Sequence, residues 1–326
     1  MSKPRRIPRH RAWSVLTLPA LLSLLAACSS GPAAGGGDAA AGAGASGAKG
    51  GAAASASPTP TGPPGTLFDS FHYTGPDDPA FTDHGWEARE GAGGPGVKDT
   101  WSAAGASFPT DADAQGGRVL QLRSSTDGTK QGTEQVEVQT TGARFLNGTY
   151  AARVYLSDKP GSGRNGDHVV QTFFPISPED SSANYSELDY EYMANGGWGS
   201  VGPQLDTTSW YKADPPDRVT HALKQHLQGW HLMMITAVDG KVTYSLDGKD
   251  LFTSSGKYVA REKVDVHFSN WFIDLMPSLG AGRTWDMKVN WFYHKADEAV
   301  SQADVQKAVD GFYAAGTDYV NTLPKP

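Results

Sequence analysis

The residues best placed to do chemistry in this chain are three acids on one short segment. Tyr185-Ser186-Glu187-Leu188-Asp189-Tyr190-Glu191-Tyr192 sets Glu187, Asp189 and Glu191 at positions i, i+2 and i+4. On a β-strand that spacing projects all three from one face and sends Leu188 and Tyr190 to the other. Three carboxylates facing a core would be desolvated together, which is prohibitive without partners. The acids are therefore expected on a solvent-reachable face, with Leu188 and Tyr190 inside. Their mutual repulsion raises the proton affinity of one member, which a general acid requires. Two carboxyl groups of this kind hydrolyse glycosidic bonds, standing about 5–5.5 Å apart when one is a nucleophile and configuration is retained. Residues four apart on a strand are about 13 Å apart at Cα, so convergence requires a concave strand. The same pattern also fits a plain exposed strand face or a cation site.

The elements that must position these acids read as strands. Val119-Leu120-Gln121-Leu122-Arg123, Gln135-Val136-Glu137-Val138-Gln139 and Tyr150-Ala151-Ala152-Arg153-Val154-Tyr155 alternate as half-buried strands do. Lys241-Val242-Thr243-Tyr244-Ser245-Leu246 and Lys249-Asp250-Leu251-Phe252 flank Asp247-Gly248, a pair that supplies the positive φ of a tight hairpin turn. Many short strands at this spacing predict an all-β antiparallel sandwich or jelly roll. The tail differs. Ser301 with Asp304 three residues on forms a capping pair, and Val305, Val309, Phe312, Tyr313, Gly316 and Val320 recur at helical spacing. This predicts a C-terminal amphipathic helix packed on the sandwich, weakened by Gly311 and Gly316.

The N-terminal segment reads as targeting sequence. Lys3, Arg5, Arg6, Arg9 and Arg11 form a basic region, residues 13–25 form an apolar run too short to span a bilayer, and Leu25-Ala26-Ala27-Cys28 follows. The last four residues resemble a bacterial lipobox, so residues 1–27 are expected to be a lipoprotein signal peptide and Cys28, the one cysteine, a lipidation site. An ordinary secretory peptide cut nearby gives the same export without the anchor. Residues 28–65 are almost wholly Gly, Ala, Ser, Pro and Thr, with too little apolar surface to offset chain entropy. They are expected to form a disordered tether spanning roughly 35 Å. The rest divides into one β domain over residues 66–295 and a helix and tail over residues 296–326. The formal charge of −7 becomes more negative once the basic segment is removed. Phosphate-backbone partners are thereby disfavoured, and no nucleic acid binding is expected.

Beyond the acidic triplet, much of the chain resembles glycoside hydrolase family 16, the concanavalin A-like jelly rolls that include lichenases and laminarinases. Glu187-Leu188-Asp189-Tyr190-Glu191 is similar to that family's catalytic strand in its unbulged form. Residues 148–156 and 169–174 are similar to the strands before it. Gly229-Trp230-His231 and residues 242–248 resemble its "WH…yvDG" segment, and residues 266–271 and 285–293 its later cleft strand and closing strand. The resemblance implies a concanavalin A-like β-sandwich. It assigns Glu187 as nucleophile, Glu191 as general acid/base and Asp189 as the residue that tunes the nucleophile. It requires no cofactor and leaves room for a structural calcium, though no ligand set in the sequence marks one. Two departures put lichenan specificity in doubt: Gly91-Ala92-Gly93-Gly94-Pro95 lacks the family's sugar-gripping Tyr and Asn, and Thr236-Ala237-Val238-Asp239 lacks its late Trp.

Aromatic rings suit sugar because its apolar ring faces stack on them. Tyr185 lies two residues before Glu187, where lichenases carry a Trp, and Phe174, Trp210 and Trp271 are further candidates. With Trp271 in a cleft, period two puts Ser269 and His267 on its face. Trp198, in the Asn195-Gly196-Gly197-Trp198-Gly199 turn, is a candidate rim residue. Core packing is the alternative for each ring. The expected function is a retaining, endo-acting hydrolase or transglycosylase on a β-linked polysaccharide. The protein is expected to be a monomer, lipid-anchored on the outer face of the bacterial cell membrane and facing the wall. The alternatives are a wall-tethered, non-catalytic carbohydrate-binding module and a structural lipoprotein. Metalloprotease, phosphate-loop and nucleophile-elbow signatures are absent.

Overall fold

The computed structural model describes residues 62–280 and 282–324. The expected signal peptide, Cys28 and most of the expected tether lie outside the described residues. The chain begins with β1 (Thr66–Asp69), a short α1 (Pro79–Asp83), β2 (Trp86–Ala88), β3 (Ala106–Ser107), β4 (Leu120–Thr126), β5 (Val136–Thr140) and β6 (Gly148–Leu156). It continues through β7 (Val169–Ile176), β8 (Glu187–Met193), β9 (Gly196–Gly197), β10 (Ser200–Val201), β11 (Gln204–Lys212) and β12 (Asp217–Leu223). It closes with β13 (Gly229–Val238), β14 (Lys241–Leu246), β15 (Lys249–Ser255), β16 (Asp265–Phe272), β17 (Arg283–Ala296), α2 (Gln302–Ala314) and β18 (Tyr319–Asn321).

Two antiparallel sheets face each other. A nine-stranded sheet runs β15-β14-β13-β6-β17-β1-β18, with β4 also on β17 and β3 on β4; a seven-stranded sheet runs β12-β11-β8-β7-β16-β5-β2. This is the expected all-β sandwich of jelly-roll type. The alternation of the sequence decides what lies between the layers. On β8, Leu188, Tyr190 and Tyr192 turn inward and join Phe173, Phe268 and Phe292 in one apolar core. Tyr190 and Tyr244 tie the sheets together: the Tyr190 hydroxyl lies 2.8 Å from the Met234 carbonyl, and Tyr244 donates to the Thr208 carbonyl at 2.7 Å. The predicted hairpin forms as expected, with Asp247 at φ 50° and Gly248 at φ 81° between β14 and β15.

The expected helix is shorter than its periodicity implied. Ser301 caps it by accepting from the Asp304 backbone N–H at 3.2 Å, and Val305 and Val309 pack on Phe68, Trp291 and Tyr293 of the nine-stranded sheet. It stops at Ala314, because Gly316 takes φ 63° and the Thr317 N–H bonds back to the Phe312 carbonyl. Val320, expected on the helical stripe, instead belongs to β18 and pairs with Phe68 of β1. Strand pairing at the sheet edge overrides the helical pattern there. The tail beyond the helix is thus part of the sandwich.

Candidate active site

A groove of about 1010 Å³ crosses the seven-stranded sheet on the face away from the core, and β8 lies across its middle. Cross-strand register builds it in rungs. Trp210 of β11 and Ile176 of β7 flank Glu187; Asp206 of β11 and Thr172 of β7 flank Glu191; Thr208 sits beside Asp189. The next strands add Arg218 and Thr220 on one side and Asp265, His267, Glu137 and Gln139 on the other. All three expected acids line this one groove, with Leu188 and Tyr190 beneath it as predicted.

The three carboxyl groups differ in what touches them. Glu187 accepts a hydrogen bond from the Tyr185 hydroxyl. Burial pushes the Glu187 carboxyl up, and hydrogen bonds from Tyr185 and Asp189 pull it back. Asp189 is buried and accepts at Oδ2 from the Trp210 indole N–H at 2.7 Å. Burial, then the charges of Glu187 and Glu191, push its pKa well above the usual carboxylate range. Asp189 and Glu187 are within hydrogen-bonding reach of each other, a contact that two ionised carboxylates cannot make. Asp189 Oδ1 is buried with no hydrogen-bond partner among the described residues. Glu191 has no hydrogen-bond partner among the described residues. Burial first, then Glu187 and Asp206, push its pKa up to about 8, against a smaller opposing pull from Arg218. All three carboxyl groups thus hold a proton more tightly than an ordinary carboxylate does, Glu191 up to about pH 8.

The aromatic candidates fare unevenly. Phe174 lines the groove with His267 against its ring, centroids 4.9 Å apart. Trp210 lines it too, with the Arg218 guanidinium 4.3 Å from its ring centroid. Trp198 is 57 % exposed at the tip of the β9–β10 hairpin, where it takes φ 48°, and its ring lies 5.9 Å from that of Trp271. Tyr185 is only 3 % exposed, so it serves the groove through its hydroxyl rather than as a stacking face. Ser269 does not reach the groove. It is fully buried, with its hydroxyl 2.7 Å from that of Thr172, which covers it. The period-two argument placed Ser269 on the correct face but could not see that Thr172 overlies it.

Sequence reasoning missed Asp206, Arg218, Arg89 and Glu137 as groove residues. Asp206 was within reach, since it lies four before Trp210 on the same strand face. Arg89 donates to Glu137 at 3.1 Å from the loop after β2, a pairing across 48 residues that no local pattern announces. Among the described residues no group of three or more His, Cys, Asp or Glu side chains is set to hold a metal ion, so no such ligand set accompanies the calcium that the resemblance allows.

Two facing antiparallel sheets, one of them crossed by an open groove, give the architecture of a jelly-roll sandwich. No family model and no curated relative matches the sequence. Solved structures do match in fold. A Bacillus licheniformis beta-glucanase superposes with a TM-score of 0.51 at 12 % identity, covering 72 % of this chain and 99 % of its own. A family 16 protein of the Bacteroides ovatus mixed-linkage glucan locus, in complex with a glucan product, gives 0.53 at 15 % identity, covering 69 % and 98 %. An immunostimulatory antigen of Mycobacterium tuberculosis described as a pseudo beta-1,3-glucanase gives 0.51 at 16 %, covering 72 % and 100 %. The fold of this chain is the family 16 jelly roll.

Proposed function

We propose that this protein is a retaining, endo-acting glycoside hydrolase or transglycosylase of family 16 type, acting on a β-linked polysaccharide such as a β-glucan. The observation that carries the reading is the triplet itself: three carboxyl groups of one strand line one groove, and burial with their mutual charge raises the proton affinity of each. Glu187 attacks the anomeric carbon while Glu191 protonates the departing glycosidic oxygen. Glu191 then takes a proton from water, or from a sugar hydroxyl in transglycosylation, as that oxygen displaces Glu187. Asp189, fixed by Trp210, releases its share of the hydrogen bond to Glu187 as the ester forms. A groove lined from six of the seven strands of the sheet suits a long chain bound along its middle, which supports endo action. The fold's neighbours include glucanases, which makes β-glucans the first substrates to try.

The test is a screen of β-1,3-, mixed-linkage and β-1,4-glucans and of galactans, with product analysis and the anomeric form of the first product followed by NMR. Retention of configuration, lost in Glu187→Gln and Glu191→Gln, is expected. Undiminished hydrolysis by Glu187→Gln would remove the mechanism. A binding module without turnover is the second reading, favoured by the M. tuberculosis neighbour; it predicts glycan binding and no product in the same screen. We also propose export and lipid anchoring through Cys28, in which case Cys28→Ser abolishes palmitate labelling and releases the protein from the membrane.

A further inference from the structure

Glu191 has a neighbour that the triplet does not supply. Asp206 stands directly opposite it in the β8–β11 register, so the two side chains leave the same sheet face. Directly opposed residues of an antiparallel pair have Cβ atoms about 4.5–5.5 Å apart, and like charges there repel. Both carboxyl groups line the groove. No ion pair neutralises Asp206 among the described residues; its hydrogen-bond donor is the Gln204 side-chain amide. Arg218 of β12 lies over the Trp210 ring.

We propose that Asp206 is a positioning residue for proton transfer: its carboxylate, set across the strand pair from Glu191, keeps Glu191 in the acid form until the glycosidic oxygen takes the proton. The inference rests on the role given to Glu191 above, but its direct test does not.

Besides Asp206, the charge that raises the proton affinity of Glu191 is that of Glu187 on its own strand. On that strand Glu187 accepts from Tyr185 and Asp189 from Trp210. Thr172 of β7 and Ser269 of β16 are uncharged, and Glu137 of β5 is closed by Arg89 and His267. Lys224, beyond β12, is bonded to Ser200, and His221 of β12 stacks on Phe252. Burial raises the proton affinity of Asp206, and the Gln204 donor with Lys224, Arg218 and His221 pulls it back down.

The experiment is a carbon-13 NMR titration of the full chain labelled at the glutamate side-chain carboxyls, with the Glu191 resonance assigned by its loss in Glu191→Gln. Asp206→Asn and the strand-compatible Asp206→Thr are expected to lower the Glu191 midpoint by about one pH unit, and Asp206→Glu to restore it. An unchanged or raised midpoint in both neutral variants overturns the inference. On a glycan the protein cleaves, the alkaline limb of kcat should move by the same amount with KM unchanged. A raised KM with a stationary limb makes Asp206 a sugar ligand and equally overturns it. If no glycan is cleaved, the proposed activity falls while the titration still decides the pairing.

Discussion

Asp167 and Asp189 are both buried carboxylates, and each accepts a hydrogen bond from a tryptophan indole: Asp167 from Trp285 at 3.0 Å, Asp189 from Trp210 at 2.7 Å. There the likeness ends. Asp167 meets the Arg283 Nε at 3.0 and 2.9 Å from its two oxygens, and both side chains are fully buried. Every charge in that pair is answered. Asp189 meets no cation; its close neighbours are Glu187 and Glu191, with Asp206 one strand away. The sandwich therefore tolerates buried acids in two ways. It pairs one with a fixed cation, and it raises the proton affinity of the others. A fixed cation gives permanence, whereas a proton can be given away, which is what a reaction needs.

This contrast can be broken at four points, from the largest effect to the smallest. Glu187→Gln should reduce hydrolysis of any cleaved glycan by on the order of 10⁴-fold or more, because no other groove residue offers a nucleophile at that position; initial rates on that glycan measure it. Arg283→Ala should destabilise the fold by about 3–5 kcal/mol in chemical denaturation, since it strands the Asp167 charge, and the double change Asp167→Asn with Arg283→Met should recover much of that loss. Glu191→Gln should act in the opposite direction on stability. The folded Glu191 keeps its proton up to about pH 8 whereas the unfolded residue loses it near 4.5, so the native protein loses stability as pH rises between those values. Thermal melts should show the variant no more stable than its parent in acid and on the order of 2 kcal/mol more stable above pH 8. Smallest, Trp198→Ala should raise KM by a few-fold with kcat little changed, since an exposed ring at the groove end contributes about 1 kcal/mol of stacking; a KM unchanged on long and short glycans would take Trp198 out of the binding surface.

Much of this was legible in the sequence, and what was not has a physical reason. A strict period of two on one strand specified both the groove face of Glu187, Asp189 and Glu191 and the core face of Leu188 and Tyr190. The β14–β15 hairpin followed from Asp247-Gly248 alone. Neighbours in the sheet were harder to see, because β8 pairs with β11 and β7 by register rather than by sequence proximity. Asp206 beside Glu191 and Arg89 beside Glu137 are contacts of that kind. Ser269 shows the limit of face assignment: period two fixes the direction of a side chain and says nothing about what the next strand lays over it. The helix was found from Ser301 and its apolar stripe, but its end was misplaced, because Val320 satisfies a helical spacing and a strand pairing equally well.

The clasp of β18 onto β1 has a consequence for how the domain is carried. Leu67 pairs with Asn321, and the Gly65 N–H bonds to the Thr322 carbonyl, so the first and last described segments lie side by side on the nine-stranded sheet. That sheet is the wall of the sandwich without the groove. Whatever precedes residue 62 joins the body there, and a load drawn along it would pull on an edge braced by α2 while leaving the groove-bearing wall under no direct tension.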